Sequence, residues 1–128
     1  MSRSTPPRLR REMGRLAEDL AADFLREKGY EVVDRNFTVR RGEVDLVVAS
    51  DSVLAFVEVR SRADERWGTP EETIGPVKVR RVVHAARHWL ARNGDMGKDL
   101  RFDVVAIDGS PDSPREIRHL PGAFEAGW

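Results

Sequence analysis

Hydrophobic positions change their spacing as the chain proceeds, and each change marks an element. From Leu9 onward, Met13, Leu16, Ala17, Leu20, Ala21 and Phe24 recur at three- and four-residue steps, which places them on one face of an α-helix. Gly29 is the predicted stop, and the polar, proline-containing residues 1–8 are expected to be flexible ahead of the helix. The apolar stripe leaves Arg11, Gly14, Arg15 and Glu18 to one side, so Glu18 is expected to face something other than the core. From Tyr30 the pattern turns extended: residues 30–34, 37–39 and 42–49 read as strands, and after the turn signal Asp51-Ser52 residues 53–59 form another.

Segment 61–76 reads as a loop, closed by Pro76 in the first turn of a second helix that runs to about residue 92. Val79, Val82, Val83, Ala86, Trp89 and Leu90 make its apolar side, and Asn93-Gly94 its stop. Residues 102–107 are an apolar interior strand and 116–120 a weaker last one. The order helix, three strands, helix, one or two strands predicts an α/β fold with helices packed on a mixed sheet. A chain of 128 residues fits a single domain over 1–128.

If Asp51-Ser52 is a two-residue turn, residue 50 opposes 53, and counting outward sets Asp45 across from Glu58 and Glu43 across from Arg60. Alternation then puts all four on one side of the sheet, with Val44, Leu46, Val57 and Val59 on the other. Two carboxylates with Cβ atoms ~5 Å apart repel one another, and a hard divalent ion such as Mg²⁺ or Mn²⁺ would resolve the repulsion through oxygen ligands. The same pattern also suits a solvated face on which Glu43 pairs with Arg60. A three-residue loop would slip the register and separate the acids.

Composition removes some chemistry and leaves this one standing. There is no cysteine, which excludes disulfides and thiolate catalysis and suits a reducing cytoplasm. No stretch approaches the ~20 apolar residues that span a bilayer, so no membrane role is expected. Lys and Arg (22) balance Asp and Glu (22), so only local segregation could mark a polyanion partner. Lys78, Arg81, Ala85, His88 and Arg92 share a stripe of the second helix; with Arg40, Arg41 and Arg62 around the acidic strands they form a phosphate footprint or, equally, a solvated basic face. His84 and His88 lie one turn apart without an accompanying acid, a poor zinc site, and Trp67 either stacks on a base or braces its loop.

Asp45, twelve intervening residues, then Glu58-Val59-Arg60 resembles the D…ExK core of the PD-(D/E)xK nuclease superfamily. The blocks Gly14-Arg15-Leu16-Ala17-Glu18, Arg35-Asn36-Phe37, Phe56 to Arg62, Gly68-Thr69-Pro70 and Arg101 to Val105 resemble, more specifically, its YraN-like family. The resemblance implies a restriction-endonuclease-like fold, akin to archaeal-type Holliday-junction resolvases, with Asp45 and Glu58 as metal ligands and Glu18 supporting the site. It implies Mg²⁺- or Mn²⁺-dependent hydrolysis of branched, flapped or broken DNA, and a homodimer if the substrate is a symmetric junction. Arg60 stands where the motif has lysine; arginine keeps its proton, so an electrostatic role is expected of it. A non-catalytic nucleic-acid-binding or protein-interaction module on the same fold is the alternative that Arg60 favours.

Overall fold

The computed structural model describes residues 6–62 and 68–127. Helix α1 (Pro7–Glu27) is followed by strands β1 (Glu31–Val39), β2 (Gly42–Ala49) and β3 (Val53–Arg62), a 3-10 turn (Glu71–Thr73), helix α2 (Pro76–Asn93), and strands β4 (Asp99–Ser110) and β5 (Ser113–Phe124). Residues 1–5, expected to be flexible, and Trp67 lie outside the described residues; Pro7 and Arg8 are already helical, because proline's fixed φ suits the first turn of a helix.

One sheet runs in the order β1-β2-β3-β4-β5. Its pairs are antiparallel except β3 with β4, whose parallel alignment requires the crossover that α2 supplies. Leu54 and Phe56 pack with Val82, Ala86 and Trp89 of α2, while their neighbours Ala55 and Val57 pack with Ala21, Ala22 and Leu25 of α1. Alternate residues of β3 thus serve opposite layers, and the sheet lies between the helices. On the α2 side the core centres on Phe56, stacked on Phe102 at 5.6 Å and edge-on to Trp89 at 5.8 Å.

Three expectations change. The most deeply buried stripe of α1 is Ala17, Ala21, Ala22 and Leu25, whereas Met13, Leu16, Leu20 and Phe24 are only half-buried; small alanines let the helix backbone approach the sheet. The first two short strands are one, β1, which runs through the polar stretch Asp34-Arg35-Asn36 by a bulge after Val32 and a left-handed Asn36 (φ 52°). Asp34 is held there by the Trp89 indole N–H at 2.9 Å. β5 has twelve residues, its prolines falling near irregularities in the pairing with β4, as an edge strand permits.

Farther along the molecule, Arg118 of β5 donates to Glu71 in the 3-10 turn and to Asp108 of β4, pinning the segment that leads into α2. The wholly buried Asp103 is held by Arg101, His119 and the Gly122 amide.

Candidate functional site

The β2–β3 turn has the two-residue form. Ser50 and Val53 close it, Ala49 opposes Leu54, and the ladder continues in register to Leu46 and Val57. There the paired ladder ends. The next donor in line, the Val59 N–H, goes instead to Asp45 Oδ2 at 2.9 Å. Beyond this point β2 keeps its pairing with β1 (Glu43 with Thr38) and β3 its pairing with β4 (Arg60 with Ala106). A cleft of about 260 Å³ opens where the two strands part.

Alternation slips at the same place. Val44 packs with the α2-side core, whereas Leu46 and Val48 pack with the α1-side core, although strict alternation would keep all three together. The expectation that Val44, Leu46, Val57 and Val59 share one face is therefore corrected at Val44. Asn36, which the β1–β2 register sets across from Asp45, takes the left-handed conformation that asparagine tolerates better than most residues. The expected facing pair of Glu43 and Arg60 does not form, because their strands have separated.

Glu18, Glu43, Asp45, Glu58, Arg60 and Lys78 all line the cleft. α1 delivers Glu18 beside Gly14 and Ala17, the side of the helix away from its larger apolar residues. Asn36 hydrogen-bonds Glu18, and Arg35 lies 3.9 Å from its Oε1. Lys78, in the first turn of α2, brings its Nζ to 3.5 Å from Glu58 Oε1. Asp45 and Glu58 are 6% and 2% exposed, so water does little to screen them.

Burial is the largest influence on the carboxyls of Glu18, Asp45 and Glu58 and raises each. Glu58 is pushed up to about 8 by burial and by the neighbouring Asp45, against the opposing pull of Lys78 and Arg60. Asp45 is also raised by burial, with the Val59 N–H and Lys78 working the other way. Glu18 is raised by burial and by Asp45, offset in part by Asn36. The 3.5 Å ion pair with Lys78 therefore does not compensate Glu58: one cation at that distance is outweighed by desolvation and a facing acid. Glu58 Oε2, Glu18 Oε1 and Arg60 Nε are buried with no hydrogen-bond partner among the described residues. Each such atom costs about 1–3 kcal/mol.

Carboxylate oxygens, of which Glu58 Oε2 and Glu18 Oε1 have no hydrogen-bond partner among the described residues, are donors of the kind a hard divalent ion takes. Asp45 and Glu58 make a pair and not a closed cage; among the described residues no group of three potential ligands surrounds one point. An ion held by two carboxylates keeps positions for water and phosphate.

The residues expected to meet nucleic acid divide. Lys78 belongs to the acid cleft. Arg40 and Arg41 form the β1–β2 turn and line a separate cleft, Arg81 is exposed on α2, and Arg62 ends β3 half-exposed. Ala85, expected in the basic stripe, is wholly buried. Sequence reasoning missed Asn36 and the Val59 amide as parts of the site. An asparagine flanked by Arg35 and Phe37 inside a strand was the one available signal, since asparagine is enriched in left-handed positions.

No helix among the described residues is long and apolar enough to cross a membrane. A family model described as "Uncharacterised protein family UPF0102" matches residues 17–107, which include Glu18, β1 to β3 and α2. The chain is similar to the "UPF0102 protein" of Anaeromyxobacter dehalogenans (strain 2CP-C), 50% identical over 116 residues, or 91% of this chain and 86% of that one. It is similar to the protein of the same name from Myxococcus xanthus (strain DK1622), 42% identical over 98% of both chains. The "UPF0102 protein GSU0650" of Geobacter sulfurreducens (strain ATCC 51573 / DSM 12127 / PCA) is 44% identical over 91% of both.

Proposed function

This chain belongs to the uncharacterised protein family UPF0102, and from that membership and the acid cleft we propose that it is a metal-dependent endonuclease of the PD-(D/E)xK superfamily, on a restriction-endonuclease-like fold. Its substrate class is branched, flapped or broken DNA. One observation carries the reading: Asp45 and Glu58, both buried and both raised, share the point where β2 and β3 part, and Glu58 Oε2 has no hydrogen-bond partner among the described residues. Two acids so placed are compensated by a cation or, below about pH 8, by the proton that Glu58 keeps in its hydrogen bond with Asp45; once both are ionised they are destabilising without a cation.

Asp45 and Glu58 would hold Mg²⁺ or Mn²⁺, with Glu18 as a third carboxylate bordering the cleft. The bound ion would supply Lewis acidity at a phosphoryl group. The Val59 N–H fixes the Asp45 carboxylate, which also hydrogen-bonds Glu58, so the two acids are held together where an ion would bind. Lys78 and Arg60 bring positive charge to the cleft and stabilise negative charge that develops on phosphate oxygens. Arginine does not give up its proton at neutral pH, so Arg60 serves as an electrostatic group and not as a base.

The direct test is cleavage of labelled duplex, flap and four-way-junction DNA by purified protein in Mg²⁺ or Mn²⁺, with EDTA and Asp45→Ala as controls. Metal-dependent cleavage that falls more than ~100-fold in the variant is expected, since even residues that only orient metal ligands cost ~10–100-fold when removed. Cleavage that survives Asp45→Ala is contamination and refutes the assignment. Arg60 in the lysine position favours a second reading, a non-catalytic nucleic-acid-binding or protein-interaction module; tight DNA binding without cleavage in either metal would select the nucleic-acid form of it.

A further inference from the structure

A larger cleft, of about 530 Å³, lies between the β1–β2 turn and the outer side of α2. Thr38, Arg40, Arg41, His84, His88 and Arg92 line it, and among the described residues no carboxylate does. We propose that this cleft is a phosphate-binding subsite that grips nucleic-acid backbone running outward from the acid cleft. It rests on the nuclease reading for the identity of the polyanion.

The two clefts are joined by the chain itself. Arg41 lines the second cleft and Glu43, two residues on, lines the first. Gly42 between them lies directly on α2: a Cβ there would come within 2.9 Å of the Arg81 carbonyl and the Ala85 nitrogen. That close approach sets the turn beside His84 and His88. The His84 ring fastens it, with Nε2 at 3.1 Å from the Arg40 carbonyl; a carbonyl only accepts, so Nε2 carries the proton. His88 meets His84 edge-on at 4.7 Å, and Arg92 lies over the Phe37 ring at 5.3 Å.

Arg41 has φ 65°, a conformation that turns ordinarily give to glycine or asparagine. An arginine makes the turn harder to form, so what the position contributes is its side chain. Strain of this kind points toward function when it sits in a cleft. Spacing supports a strand as ligand. From Lys78 in the acid cleft to Arg92 in the second, α2 rises ~21 Å at ~1.5 Å per residue. One strand of duplex advances ~3.4 Å per phosphate, so about six phosphates cover that span. Arg81, exposed between them, continues the same line.

The experiment is equilibrium binding of a labelled DNA duplex in EDTA, where metal-dependent cleavage is silent, with affinity followed against salt. Arg41→Gly/Arg92→Gln should lower the salt slope by about 2, one for each phosphate left without its arginine. At ~0.1 M salt the affinity should fall by about tenfold or more. Arg41→Gly alone should lower the slope by about 1 while its melting temperature stays level or rises, because glycine suits the turn. An unchanged slope in the folded double variant overturns the proposal, as does failure of the wild-type protein to bind DNA. A reduced slope without cleavage in Mg²⁺ or Mn²⁺ keeps the subsite and removes the nuclease; cleavage with an unchanged slope does the reverse.

Discussion

Glu58 shows what a buried acid does when its neighbours do not fully compensate it. Its carboxyl is raised to about 8, so in the folded protein it holds a proton over a range where the unfolded chain, with an ordinary value near 4.5, has released it. A raised carboxyl adds stability below pH 4.5 and withdraws it as pH climbs toward 8, because the folded state then binds more protons than the unfolded one. Glu58→Gln keeps the neutral shape at every pH. In EDTA its melting temperature should match that of the wild type near pH 5 and exceed it at pH 8–9, measured by thermal denaturation. A wild type that melts higher at pH 9 would contradict burial as the cause.

The elements that position the site depend on a few residues at which one strand or helix meets another. Gly42→Ala should cost about 1–3 kcal/mol in denaturant unfolding, because the added methyl meets the Arg81 and Ala85 backbone, which cannot turn aside as a flexible side chain would. A change below ~0.5 kcal/mol would mean that the turn moves off α2 freely. Both helices and the two-residue turn were legible in the sequence, since periodicity and turn chemistry act over a few residues; Asp45 and Glu58 line one cleft, although the ladder stops one pair short of setting them opposite. The end of the β2–β3 ladder was not legible. It arises when the Asp45 side chain takes an N–H that would otherwise continue the ladder, and pattern reading counts backbone partners alone. β1 and β5 were underestimated for a related reason: polar residues and prolines look like breaks until a neighbouring strand absorbs them in a bulge.

Across the whole molecule, charges oppose one another in their pH response. Asp103, gripped by His119 and Arg101, and Glu71, gripped by Arg118, are each lowered to about 2. Groups of that kind stabilise above pH ~4 and lose their contribution as pH falls toward 2, the reverse of Glu58. The metal-free protein should therefore be most stable between about pH 4 and 6, with Mg²⁺ moving the optimum upward; melting curves across pH with and without the ion test this, and an optimum at pH 8 in EDTA would refute it. Sequence alone made the layered architecture readable but not Asp103 or Arg118, whose partners lie up to 47 residues away along the chain. The Val59 amide has a further use. Its proton faces a carboxylate, not a peptide oxygen, so its resonance is tied to whatever that carboxylate is doing. In a nitrogen-15 spectrum this single peak would act as a gauge for cation titration, readable in the resting molecule before any nucleic acid is added.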